Sequence, residues 1–140
     1  MTMYANPQQQ RNRYMADAVM AATPAQLLTM LYDRLLLDLQ RAETAQRQED
    51  WTTATPCLLH AQEIVAELMS SLRPEIWDGG PGLLALYAYV TQNLITANVR
   101  RDIGKTRECI VLLEPLRTAW HEAALKVSME QAAQRRDAVG

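Results

Sequence analysis

A chain of 140 residues, 49% hydrophobic and with a net charge of −2, is long enough for one domain with a core. It is too evenly charged for a nucleic-acid binder, which shows as a strongly basic domain. Its two cysteines, Cys57 and Cys109, lie far apart and outside any CxxC pair. They are expected as small buried residues in a reducing compartment, with no disulfide framework. The start "MTMYANPQQQRNR" has no apolar signal core, and no apolar run approaches the ~18 residues of a membrane span, so a cytosolic chain without membrane insertion is expected.

Residues 1–13 are polar and read as a mobile N-terminal tail. "YMADAVM", residues 14–20, has Tyr14, Ala18 and Val19 on one face of a short helical segment that must lie on something to be stable. The first long helix is expected over 24–48. Thr23 is its N-cap, Pro24 suits the first helical position, and Gln26 closes a capping box. Leu28, Leu31, Leu35, Leu39 and Ala42 recur at helical spacing as a core stripe.

A second helix is expected over 51–72, capped by Asp50, with Leu58, Ala61, Val65, Leu68 and Leu72 as its stripe. Pro56 removes one backbone bond. It predicts either a kink or a helix that begins at Thr55 with Pro56 in the first position. "RPEIWDGGPG", residues 73–82, is a loop by its Pro and Gly density. A third helix is expected over 81–101, with Leu83, Leu86, Val90, Leu94 and Ala97 inward. A fourth is expected over 103–130, capped by Asp102, carrying Cys109, Leu113, Leu116, Trp120, Ala123 and Val127 and bent at Pro115. Residues 128–140 read as a fraying tail. Short links between long amphipathic helices imply an all-α, antiparallel up-down four-helix bundle spanning residues 14–127.

The sequence holds no P-loop, no GxGxxG and no HExxH. A di-iron bundle needs Glu-x-x-His on two helices; here His60 precedes Glu63, and His121 directly precedes Glu122. Neither catalysis nor a metal or cofactor is expected. A histidine-phosphotransfer bundle would use His60, but "LLHAQEIV" lacks the Lys-Gly that usually follows such a histidine. Trp51, Trp77 and Trp120 have no basic interleaving, so stacking on nucleic acid is not expected.

The helices carry more apolar residues than one stripe each. Met30 and Leu37 leave the stripe of the first, and Tyr32 and Leu36 broaden its flank. Ile64 and Met69 widen the second; Tyr87, Tyr89 and Ile95 widen the third. A bundle helix touches two neighbours, which accounts for a broad arc. The remaining surplus predicts grooves for a partner, with the 14–20 segment as a cover.

Five stretches in order carry a family resemblance: Met3-Tyr4 with Tyr14; "TPAQL" running into "MLYD"; "AQEIVAELMSSL"; "LLALYAYVTQNLITAN"; and "LRTAWHEA". Together they resemble the FliS family of flagellar secretion chaperones over about residues 4–126. The resemblance implies a protein that binds the disordered C-terminal segment of flagellin in the cytosol. It would prevent premature polymerisation and present the subunit to the flagellar export gate. A client that folds on binding needs a large wrapped surface to offset its ordering entropy.

On this reading Ile64, Leu68, Leu86, Val90 and Leu94 line the groove floor, and Tyr87 and Asn98 offer polar contacts to the client backbone. Tyr14 resembles the family's N-terminal plug. Tyr32 and Asp33 match a family motif without an assigned role. The chain is expected as a monomer or weak dimer. The competing readings are the phosphotransfer bundle and a self-associating structural bundle.

Overall fold

The computed structural model describes residues 7–13, 23–73 and 78–139. The expected 14–20 segment with Tyr14, as well as Met3, Tyr4 and Trp77, lie outside the described residues. The described elements are all helical: α1 (residues 7–13), α2 (Pro24–Arg47), α3 (Trp51–Ser71), α4 (Gly80–Val99) and α5 (Ile103–Val139). Residues 7–13, read from sequence as part of a tail, form a helix with exposed side chains.

The caps explain where the long helices begin. Thr23 Oγ1 accepts from Gln26 N–H at 3.2 Å, and Gln26 Oε1 accepts from Thr23 N–H at 2.9 Å, the reciprocal box expected. Asp50 Oδ1 accepts from Thr53 N–H at 3.3 Å, so α3 starts at Trp51 and not at Pro56. Pro56 sits inside α3, its ring exposed, and the helix continues through it. Asp102 Oδ1 caps α5 through Lys105 N–H at 3.3 Å. The helices α2 and α4 end in the same way. Asp50 N–H reaches back to the Ala45 carbonyl at 2.8 Å and Asp102 N–H to the Ala97 carbonyl at 3.1 Å. These closures place Glu49 (φ 56°) and Arg101 (φ 53°) in the left-handed region that glycine favours.

Packing runs α2–α3, α3–α4, α4–α5 and α5–α2, a closed ring in which α2 and α4 are diagonal. Pairings such as Asp38 with His60 and Asp33 with Arg117 make ring neighbours antiparallel, as the short links require. The core fills the centre. Leu35, Leu39 and Ala42 of α2 meet Leu58, Ala61 and Val65 of α3, Leu83 and Ala97 of α4, and Cys109, Ile110 and Leu113 of α5. Fully burying each larger side chain contributes about 1.5–3 kcal/mol.

Three expectations are corrected. Tyr32 and Leu36, placed on a flank by sequence, are core residues at 0% and 2% exposure, because α2 is gripped by two neighbours. Ala123 and Val127, placed on the inward stripe of α5, are exposed. Trp120 packs beside Tyr32, and α5 then runs on past the start of α2 with little left to bury against. The tail expected to fray after residue 127 is helix to Val139, built from the Ala, Gln, Glu and Arg that favour helix most.

Candidate functional site

The predicted groove floor lies inside the bundle. Leu68, Tyr87, Val90 and Leu94 are 2%, 1%, 0% and 0% exposed, and Ile64 is 6% exposed. They sit at the heart of the core because α3 and α4 direct their main stripes at the diagonal partner. Only Leu86 and Asn98 of that set remain half-exposed. Tyr87 is not free to meet an extended backbone, since its hydroxyl lies 2.5 Å from that of Tyr32. The structure therefore does not bring these seven residues together as an open surface.

The exposed apolar side chains are elsewhere. Among the described residues, α2 and α3 leave out only Leu37 and Leu59 as large exposed hydrophobics, while α4 leaves out Tyr89, Ile95 and Val99 and α5 leaves out Val111, Leu125, Val127, Met129 and Val139. Leu84, Ala88, Ile95 and Val99 recur on one outward stripe of α4. Tyr89 and Val111, 47% and 57% exposed, flank the α4–α5 seam, where Leu86 and Leu112 are half-buried. Tyr89 donates its hydroxyl hydrogen to Glu108 across that seam. This bond holds the Glu108 carboxyl below the usual range, with Lys105 adding to the effect.

Polar side chains fix how the four helices meet. Asp38 of α2, 2% exposed, is held by His60 Nδ1 from α3 and by Arg34 Nε at 3.3 Å. Asp33 receives Arg117 Nε at 2.6 Å and His121 Nε2 at 2.7 Å, both from α5. Partial burial pushes Asp33 upward, but hydrogen bonds and charge from Arg117 and His121 outweigh it, and the carboxyl lies below the usual carboxylate range. At the other end Gln46, 1% exposed, donates to the Ala97 carbonyl at 3.3 Å and accepts from Thr106 Oγ1 at 2.7 Å. One side chain thus ties α2, α4 and α5.

Sequence reasoning missed Asp38 and Gln46. The signal was present: Asp38 lies three residues after Leu35, and Gln46 four after Ala42, both on the apolar face of α2. A polar residue on such a face needs a partner. Burial pushes the thiol of Cys109 up to about 12, as expected for an inert core cysteine, and raises that of Cys57 as well. Among the described residues no group of three His, Cys, Asp or Glu is placed to hold a metal.

A bundle with exposed apolar side chains on α4 and α5, and no assembled reactive cluster among the described residues, is a scaffold that fits several families. The sequence decides between them: it matches the family model described as flagellar protein FliS over residues 6–127. The chain belongs to the FliS family.

Curated FliS relatives agree along most of their length. The flagellar secretion chaperone FliS of Escherichia coli (strain K12) is 34% identical over 117 residues, 82% of this chain and 86% of the relative. That of Bacillus subtilis (strain 168) is 31% identical over 110 residues, 79% of this chain and 82% of the relative. That of Salmonella typhimurium (strain LT2) is 33% identical over 120 residues, with 83% and 87% covered. A solved flagellar chaperone from bacteria superposes with a TM-score of 0.67 at 21% identity, covering 86% of this chain and 99% of that one, and shares the fold. The FliS assignment makes this all-α protein a flagellar secretion chaperone. No helix among the described residues is long and apolar enough to cross a membrane.

Proposed function

We propose that this chaperone binds the C-terminal segment of flagellin in the cytosol, keeps it from polymerising early, and hands it to the flagellar export apparatus. The observation that carries the reading is the outward apolar stripe of α4, with Tyr89 and Val111 beside it at the α4–α5 seam. A soluble bundle has no structural use for that row of exposed side chains, and a contiguous apolar patch usually meets a partner. An amphipathic segment that is disordered before binding fits it, laying its own apolar face along α4. The work is binding, not catalysis. Client release then needs only a competing surface, since no covalent step holds the pair.

The test is calorimetric titration of the full chain with a peptide of the last ~45 residues of the cognate flagellin. A complex near 1:1 with a large negative heat-capacity change marks burial of apolar surface by an ordering client. The absence of heat and of a complex on a sizing column would rule the flagellin reading out.

A further inference from the structure

The α4–α5 seam holds a buried donor that the fold leaves without its partner. Asn93 of α4 is 5% exposed, and its Nδ2 is sealed from solvent with no acceptor at hydrogen-bonding geometry. Such a group carries its desolvation penalty uncompensated, and a native fold keeps few of them. The acceptor beside it is the Glu108 carboxylate of α5, which Tyr89 first, then Lys105 and the Asn93 amide, hold below its usual range. Both Glu108 oxygens are engaged elsewhere. Oε1 accepts the Tyr89 hydroxyl hydrogen, and Oε2 lies 3.6 Å from Lys105 Nζ.

Tyr89 and Glu108 stand on opposite helices, so their bond is a strap across the seam. Just past it, at one level of the antiparallel pair, lie Leu86 and Leu112, both half-buried. Leu86 stands one turn before Tyr89 on α4, and Leu112 one turn after Glu108 on α5. We propose that Tyr89 gates this seam and that Glu108 alternates between two partners. In the closed state Glu108 holds Tyr89. In the open state the Tyr89 ring swings outward, an apolar side chain of the client settles on Leu86 and Leu112, and Glu108 Oε1 turns inward to accept from Asn93 Nδ2.

The exchange replaces one hydrogen bond to a carboxylate by another. The Tyr89 hydroxyl passes to water from a ring that is already 47% exposed, while Asn93 gains the acceptor it lacks. The two states therefore lie close in energy, and a client that fits only the open one shifts the population. What enters the seam rests on the flagellin reading. The choice of partner by Glu108 does not, since it belongs to the free chain.

Side-chain amide NMR of the isotope-labelled full chain tests the exchange without any client. Tyr89→Phe removes the strap at an exposed position, leaves the fold intact and frees Glu108 for Asn93. The Asn93 amide protons should then move downfield and exchange about tenfold more slowly than in the native chain. Adding Glu108→Leu should abolish both changes. Calorimetry with the flagellin peptide tests the gate. Tyr89→Phe should bind about three- to tenfold more tightly, because no bond has to break before the client enters. Asn93→Leu denies Glu108 its second partner and should bind more weakly by a similar factor, with an unchanged melt. An Asn93 amide indifferent to Tyr89→Phe would overturn the proposal. So would a Tyr89→Phe affinity no higher than the native one. A native chain that binds no peptide would remove the flagellin reading alone, and the NMR arm would still decide the exchange at Glu108.

Discussion

The hydroxyls of Tyr32 and Tyr87 meet 2.5 Å apart across the diagonal of the bundle, joining two helices that are not ring neighbours. Both rings are buried, and Trp120 leans on Tyr32 with ring centroids 6.3 Å apart. Burial raises both phenols above their ordinary range; at Tyr32 hydrogen bonding from Tyr87 and Trp120 takes back part of the rise. Tyr32→Phe strands the Tyr87 hydroxyl and costs about 1–3 kcal/mol, whereas Tyr87→Phe breaks the same bond but leaves the Tyr32 hydroxyl its bond from Trp120. The double change strands neither hydroxyl and loses in addition only the bond from Trp120 to Tyr32. A urea-denaturation cycle should therefore show a double-variant loss smaller than the sum of the singles, by ~1 kcal/mol. Strict additivity would mean that the two hydroxyls do not depend on one another.

Asp33 makes stability depend on acid. Its folded carboxyl is depressed, so its contribution is present above the unfolded value of ~3.9 and lost as pH falls through the folded value. Asp33 is 42% exposed, so solvent screening keeps the contribution small. Melting temperatures measured from about pH 6 down to about pH 2 should fall less steeply for Asp33→Asn than for the native chain. Equal slopes would show that Arg117 and His121 do not favour the charged form.

The two helix ends separate backbone strain from side-chain contact. Glu49 has a left-handed φ and no compensating stack, so Glu49→Gly should stabilise the fold by about 1 kcal/mol. Arg101 has the same backbone, but its guanidinium lies 4.6 Å from the Trp51 ring centroid. Arg101→Gly gains the same relief and loses about 0.5–1 kcal/mol of cation–π attraction. Thermal unfolding should thus rank Glu49→Gly above Arg101→Gly, and the reverse order would assign the strain elsewhere.

A charge separates the core from the proposed client surface. Leu68→Glu or Val90→Glu buries an unpaired carboxylate at a site with 2% or 0% exposure, and circular dichroism should show lost cooperativity. Ile95→Glu and Val99→Glu place the same charge at 39% and 75% exposure. These should leave the melt unchanged and weaken flagellin-peptide binding at least tenfold. An unfolded Ile95→Glu, or undiminished binding, would move the client off α4.

The architecture was legible because its signals are local. The Thr23–Gln26 box, the Asp50 and Asp102 caps and the Pro- and Gly-rich stretch leading into α4 are each written in a few adjacent residues. Helices of that length with such links have few ways to pack. The groove was misread because periodicity gives the direction of a stripe but not how many neighbours a helix has. Tyr87, Val90 and Leu94 look the same in sequence whether they face a partner or the chain's own centre. Tyr89 and Ile95, read as surplus beside Tyr87, are the ones left exposed. The full reach of α5 was missed because residues 128–140 are polar, and a polar chain end reads as a fraying tail; Pro115 was expected only to bend the helix. It is exposed, and α5 continues through it, so the helix loses one backbone bond and no packing.

The ring of contacts closes between α2 and α5, the first and last long helices of the chain. Asp33 finds Arg117 and His121 at separations of 84 and 88 residues, among the longest reaches in the molecule. Every other neighbouring pair is adjacent in sequence and can zip up as a hairpin at low loop-closure cost. The slow step in building this protein is then the arrival of α5. Until it leaves the ribosome, α2 presents Tyr32, Leu35 and Leu39 to water along one open side. The chaperone, as a nascent chain, thus briefly exposes apolar surface of its own.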